Sequence, residues 1–334
     1  MIYNNLDFNN KTILITGGAG FIGSNLVFYF QKNFPDSNIV VFDCFRSEST
    51  FSNGNLKSFG HYKNLIGFKG KIICGNLNNS SDLGLLDHYK FDFIFHQAAI
   101  SDTRVYDQTL IMATNVNSFY KLLKIAKKDK ASMIYASSAS TYGSLPSPQT
   151  EGYELPENPY GFSKLMMDQI ANQFSLENSE MLIVGLRYFN AYGPREFYKA
   201  KTSSMVIQLG HQILNDKLPR LFFGSDKIIR DFIYIDDVIQ ANIKACKAKL
   251  NGTYNIGTGI PRSFQDIVDI LQDELNTNYK IEYFPNTYDG YQMHTQANLS
   301  SSKKYLDFSP KTTLEKGIIS YLPEIKRLSG SENK

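Results

Sequence analysis

Seven residues near the start of the chain narrow its possible folds more than any others. Gly17-Gly18-Ala19-Gly20-Phe21-Ile22-Gly23 follows the apolar run at 11–16 (KTILIT) and opens an amphipathic stretch reaching about residue 30. Gly17, Gly20 and Gly23 stand three apart. A buried strand, a tight turn and a helix start at this spacing bring backbone amides close to a pyrophosphate and leave no side chain between helix and strand. The unpaired N–H groups and partial positive charge of a helix N-terminus favour an anion there. Glycine clusters alone are commonly just turns, but here strand, turn and helix agree. Gly17, Gly20, Phe21, Ile22 and Gly23 are therefore candidate cofactor-binding residues.

The first half continues in the same rhythm. Short apolar runs at 38–43 (NIVVFD), 71–74, 91–96 (FDFIFH), 131–136 (ASMIYA) and 181–186 (MLIVGL) read as strands, with helices over 112–128 and 160–175. Alternation of this kind predicts an α/β fold of the Rossmann type, a doubly wound parallel sheet. Past about residue 194 short strand-like pieces (LPRLFF, RDFIYI, GTYNIG, IEYFP) sit among helices such as 263–275. They predict a smaller C-terminal α/β substrate-binding domain. The expected division is a nucleotide-binding domain over 1–190 and a substrate-binding domain over 191–330, with the chain recrossing at about 225–260. Residues 44–70, rich in Ser, Asn, Gly and Phe without periodicity, read as a surface excursion.

Composition removes several function classes. With 42% hydrophobic and 20% charged residues the chain is not broadly disordered, and 35 basic against 32 acidic residues leave no nucleic-acid footprint. No apolar run approaches the roughly 20 residues needed to cross a bilayer, and the polar start has no secretory pattern. Cys44, Cys74 and Cys246 are scattered, odd in number and not at metal-ligand spacing. A cytoplasmic location and no metal are expected.

Asp43 closes the second predicted strand, where an acidic side chain meets the adenosine ribose and favours NAD. Arg46, three residues on, suits a 2′-phosphate and favours NADP. The two point in opposite directions. Tyr160-Gly161-Phe162-Ser163-Lys164 places a phenol and an ammonium one helical turn apart on one face. A phenol ionises near pH ~10, and a nearby cation such as Lys164 or an oxidised nicotinamide lowers that value by roughly 1–3 units. Tyr160 then exchanges a proton with a substrate hydroxyl as hydride moves. Ser138, at the carboxyl edge of the fifth strand, is placed to orient the reacting oxygen. His96 sits on a buried strand without other ligands nearby in sequence, so packing is its expected role.

Residues 17–23, His96-Gln97-Ala98-Ala99, Ser138 and the Tyr160/Lys164 pair together resemble the extended short-chain dehydrogenase/reductase superfamily, and the resemblance runs to about Leu322. It implies a sugar-nucleotide epimerase, dehydratase or reductase, and places Gln97, Ala98, Ala99 and Asn115 at the cofactor. The superfamily usually carries an aspartate where this chain has Asn76 before Leu77. Asn76 can replace that contact to adenine only through its amide oxygen. Dehydratases of this group carry Asp-Glu after the serine, whereas Ala139, Ser140 and Thr141 follow Ser138 here.

Arg187-Tyr188-Phe189-Asn190-Ala191-Tyr192-Gly193-Pro194-Arg195-Glu196, a following lysine and then Ser204-Met205 are similar to the ADP-glycero-manno-heptose 6-epimerases. So are Gly224-Ser225, Arg230-Asp231-Phe232, Asn255 to Gly259 and Tyr291-Gln292. That similarity implies inversion of C6 of ADP-D-glycero-D-manno-heptose to the L-glycero epimer through a 6-keto intermediate, with tightly held NADP. The product would supply lipopolysaccharide core heptose, and the enzyme would self-associate. It also implies a second proton-transfer group, Lys199 or Lys201, with Lys199 preferred because its distance from Pro194-Arg195-Glu196 is preserved. Asn190, Arg195, Lys199, Ser204, Arg230 and Tyr291 are the candidate substrate residues, the two arginines because guanidinium forks suit a diphosphate. A UDP-hexose 4-epimerase or a heptose-modifying reductase would keep Tyr160 and Lys164 without needing Lys199. A non-catalytic dinucleotide sensor is the remaining alternative.

Overall fold

The computed structural model describes residue 3, residues 5–286 and residues 292–331. Six apolar runs become strands β1 (Thr12–Thr16), β2 (Asn38–Asp43), β3 (Lys71–Cys74), β4 (Phe93–His96), β5 (Ser132–Ser138) and β6 (Ile183–Tyr188). With the strand Gly252–Ile256 they form one sheet in the order Gly252–Ile256, β6, β5, β4, β1, β2, β3, every pair parallel. This is the doubly wound α/β architecture. Alternate residues of a strand enter opposite layers: Ile13 and Ile15 pack with Phe30, Phe95 and Ile134, and Leu14 packs with Val40, Ile94 and Phe119. Both faces are buried, which is why the strands read as continuous apolar runs.

Strand β5 runs two residues beyond its last apolar residue, because Ser137 and Ser138 still pair with Arg187 and Tyr188. Ladder pairing does not require apolar side chains, and the extension carries Ser138 to the sheet edge. The order reverses between β1 and β4, and the crevice beyond their carboxyl ends is where such sheets take ligands. Helix α1 (Phe21–Asn33) starts at that crevice. Ahead of β1, Phe8 is fully buried against Phe30, Phe34 and Phe93 with ring centroids 4.9–5.1 Å apart, so the N-terminal segment plugs one face of the sheet.

After β6 the chain forms short strand pairs. Asn190–Tyr192 lies parallel to Phe232–Tyr234, Arg220–Phe222 is parallel to Glu282–Phe284, and Ile229–Arg230 is antiparallel to Arg262–Ser263. The helices Met205–Leu214, Phe264–Leu275 and Leu314–Leu328 pack on one another beside them. The helix Ile235–Ala245 instead packs against α1, and Gly252–Ile256 edges the main sheet. Among the described residues no helix is long and apolar enough to cross a membrane.

Candidate active site

A cavity of about 510 Å³ opens over the carboxyl ends of β1, β4, β5 and β6. Its floor is the glycine turn. A Cβ on Gly17, which sits at φ +69°, would lie 2.7 Å from the Ala98 amide nitrogen, and one on Gly23 would lie 2.2 Å from the Gly17 carbonyl oxygen. Helix and strand therefore touch with nothing between them, as a pyrophosphate cradle needs. Gly17, Gly20, Phe21, Ile22 and Gly23 all line the cavity, as do Gln97, Ala98 and Ala99 after β4.

The expected adenosine contacts are rearranged. Asp43 lines the cavity, but its buried carboxylate accepts from the amides of Ala19 (2.9 Å) and Phe45 (2.8 Å). Burial raises its pKa. The amide oxygen of Asn76, expected to serve adenine, already accepts from the Asn78 amide at 2.9 Å. Arg46 does not line the cavity, and its buried Nη1 has no hydrogen-bond partner among the described residues. Asn115 is a correction. It is wholly buried and absent from the cavity wall, bonding both the N–H and the C=O of Ile100 and donating to Ser163. It ties the segment after β4 to the helix Pro159–Glu177. The supposed surface excursion is a second correction, since Lys57, Ser58, Phe59 and Gly60 form part of the wall. Their irregular, polar sequence carries no periodic signal that would have revealed this.

At the other end stand Ser138 and the helix Pro159–Glu177. That helix is started by Pro159 at its first position and by Asn158, whose side chain accepts from the Gly161 amide at 2.8 Å. Tyr160 thereby faces the cavity in the first turn, its phenol hydrogen-bonded with Ser138. One turn on, the buried Lys164 donates to the Ala136 carbonyl at 2.7 Å and lies 5.9 Å from the Tyr160 ring centroid. Burial lowers its pKa to about 8, against the opposing charge of Asp168. Burial also raises the Tyr160 phenol above its ordinary value. The Ser138 hydrogen bond opposes that rise and the charge of Asp168 adds to it, so the depression expected from Lys164 is not found.

Beneath this pair lies a group the sequence reading missed. Asp168 accepts from Tyr135 (2.9 Å), Ser137 (2.9 Å) and two nitrogens of Arg187 (3.0 and 2.8 Å), and Arg187 also bonds Tyr142 and Glu154. Asp168 follows Lys164 by four residues on one helical face, a spacing that was available as a signal. His96 packs on Phe119, its Nδ1 bonded to the Thr16 hydroxyl at 2.7 Å, and burial pushes its pKa down to about 3. It is a neutral packing residue.

Lys199 projects from the short turn Phe197–Thr202 into the cavity, its Nζ 5.5 Å from the Phe21 ring centroid. Burial lowers its pKa and the charge of Glu196 opposes that. Lys201 is exposed and does not line the cavity. Asn190 and Ser204 line it too, with the Ser204 hydroxyl donating to Glu196 at 2.7 Å. Neither candidate diphosphate arginine lines it. Arg195 lies 4.0 Å over the Phe28 ring and donates from Nη1 to the Asn64 carbonyl. Arg230 is buried and donates to the carbonyls of Ile229 and Gln292. Both guanidinium groups bond backbone carbonyls, which the sequence cannot show. Tyr291 lies outside the described residues.

Residues 13–257 match the NAD dependent epimerase/dehydratase family model. The chain is similar to the ADP-L-glycero-D-manno-heptose-6-epimerase of Helicobacter pylori, at 50% identity and TM-score 0.89 over 97% of this chain and 99% of that one. It is also similar to a Thermotoga maritima UDP-glucose 4-epimerase crystallised with UDP-glucose (25% identity, TM-score 0.84, 95% and 99% covered). A Bacillus cereus UDP-glucuronic acid 4-epimerase with UDP-glucuronic acid and NAD is similar as well (28% identity, TM-score 0.80, 95% and 99% covered).

Proposed function

The chain belongs to the NAD dependent epimerase/dehydratase family, and we propose that it is the epimerase inverting C6 of ADP-D-glycero-D-manno-heptose to the L-glycero form with bound NADP. One observation carries the reading beyond the family: two proton-carrying groups with burial-shifted pKa values, Tyr160 and Lys199, face a single cavity from different elements. A hexose 4-epimerase working with one base gives a desolvated Lys199 no task.

The residues suit the dinucleotide. The glycine turn supplies the pyrophosphate cradle. Asp43 has its oxygens engaged by Ala19 and Phe45, while Arg46 keeps an unpartnered buried Nη1, a combination that supports the 2′-phosphate of NADP over the bare ribose of NAD. Bound NADP supplies the hydride acceptor and, in its reduced form, the donor. Ser138 holds the C6 oxygen while Tyr160 takes its proton, with Lys164 behind the phenol stabilising the phenolate. The 6-ketone then presents its opposite face, and its oxygen meets Lys199, which donates the proton as hydride returns. The two proton transfers and two hydride transfers cancel, leaving no net oxidation.

The test adds ADP-D-glycero-D-manno-heptose to purified enzyme and follows the epimer ratio by NMR, while the nucleotide released on denaturation is weighed. Tyr160→Phe and Lys199→Met each reduce epimerisation by roughly 100-fold or more, yet each still passes hydride within a 6-aldehyde/alcohol analogue pair. Full turnover by Lys199→Met would overturn the reading, and a product lighter by one water would replace it with a dehydratase.

A further inference from the structure

Lys199 sits in a loop whose ends are held by one buried carboxylate. Glu196 has no exposed surface, and it accepts from the Gly193 amide at 3.1 Å, the Ser204 amide at 2.7 Å and the Ser204 hydroxyl at 2.7 Å. One oxygen bridges Gly193 and the Ser204 side chain, and the other takes the Ser204 backbone, so residues 193–204 are clipped into a ring around the turn that carries Lys199. Ser204 is itself part of the cavity wall. Burial raises its pKa, and the charge of Lys199 together with the hydrogen bonds from Ser204 and Gly193 opposes that rise.

We propose that Glu196 is a positioning residue for the reaction: it closes the 193–204 loop and supplies the counter-charge that keeps the desolvated Lys199 able both to take and to give a proton. The inference deepens the two-base reading and rests on it. The surroundings make Glu196 the charge that acts on Lys199. Tyr160 and Lys164 face the same cavity from the helix Pro159–Glu177. On the loop itself, Arg195 is turned to Phe28 and Asn64 and Lys201 is exposed. From the last helix, Tyr321 interacts with Glu196, while Glu324 and Arg327 act on Arg195 and Tyr198. An ammonium in that apolar setting loses its proton too readily to donate it back, and a fixed carboxylate corrects this.

A Tyr160→Phe background isolates the effect, because Lys199 is then the remaining base for hydride exchange within the aldehyde/alcohol pair. A group that must alternately accept and donate works best near its own pKa, so the pH optimum of this exchange reports Lys199. Adding Glu196→Gln moves the optimum to lower pH by about one unit or more and lowers the rate at least ten-fold, while Glu196→Asp, which keeps the charge, returns the optimum although its shorter reach leaves the rate reduced. An unmoved optimum with Glu196→Gln, or equal shifts with Gln and Asp, would overturn the inference. Lys199→Met run alongside separates the two ideas. If it retains epimerisation, the two-base reading itself has failed, whereas a dead Lys199→Met with an unmoved Glu196→Gln optimum refutes the role of Glu196 alone.

Discussion

Removing Asp168 should unfold the protein more readily than removing almost any apolar side chain. The carboxylate and the Arg187 guanidinium beside it are 5% and 3% exposed, so neither can turn to water when the other is deleted. In Asp168→Ala, Arg187 keeps Glu154 on one nitrogen but loses both bonds to Asp168, and the hydroxyls of Tyr135 and Ser137 lose their acceptor. Breaking a buried pair on one side costs about 3–5 kcal/mol. The surviving Glu154 contact places the guanidinium loss toward the lower end, and two orphaned hydroxyls add about 1 kcal/mol each, for a total of about 5 kcal/mol. Replacing both partners, in Asp168→Ala/Arg187→Met, removes the uncompensated charge, so the double variant should lose much less than the sum of the two singles. Urea unfolding followed by circular dichroism, with the transition slope checked for each variant, measures all four corners of the cycle. A single-variant loss below about 1 kcal/mol, or additivity within about 0.5 kcal/mol, would show that this pair is no coupled buried ion pair and would refute the reasoning.

Three further outcomes are expected. Lys164 has its folded pKa lowered from 10.5 to about 8, so the ammonium that supports Tyr160 is present below pH 8 and lost as pH rises through it; epimerase kcat should fall along that limb, and Asp168→Asn should start the fall at lower pH, read from a pH–rate profile. Arg46→Ala should weaken NADP binding by roughly 10–100-fold through loss of a charge-assisted bond and leave NAD affinity unchanged, measured by isothermal titration; equal effects on both nucleotides would remove Arg46 from the 2′-phosphate. Gly23→Ala places a methyl group 2.2 Å from the Gly17 carbonyl oxygen, so the purified variant should carry no pyridine nucleotide by mass, and a full complement would mean the turn is not the cradle.

Much of the site was legible because its parts are local. A strand, a glycine turn and a helix start are written within about a dozen residues. Tyr160 and Lys164 share a face by helical geometry alone, and Asp168 extends the same face by one more turn. Lys199 was legible only through its neighbours in a longer motif, since one lysine on a loop resembles any other.

Chain order and spacing determined the parallel sheet, the crevice at its carboxyl edge and the serine, tyrosine and lysine brought there, since each follows from the periodicity of a single element and from rules that hold for every such sheet. Where the long side chains end was decided by packing between distant segments. Arg195 turns to Phe28 and Asn64, Arg230 to the 292 carbonyl, and the polar 57–60 stretch folds in to wall the nucleotide end. The same packing desolvates Lys199 and sets its Nζ 5.5 Å from the Phe21 ring centroid. Desolvation and the direction of a flexible cation depend on what covers them, and those covering residues lie tens to hundreds of positions away in the chain.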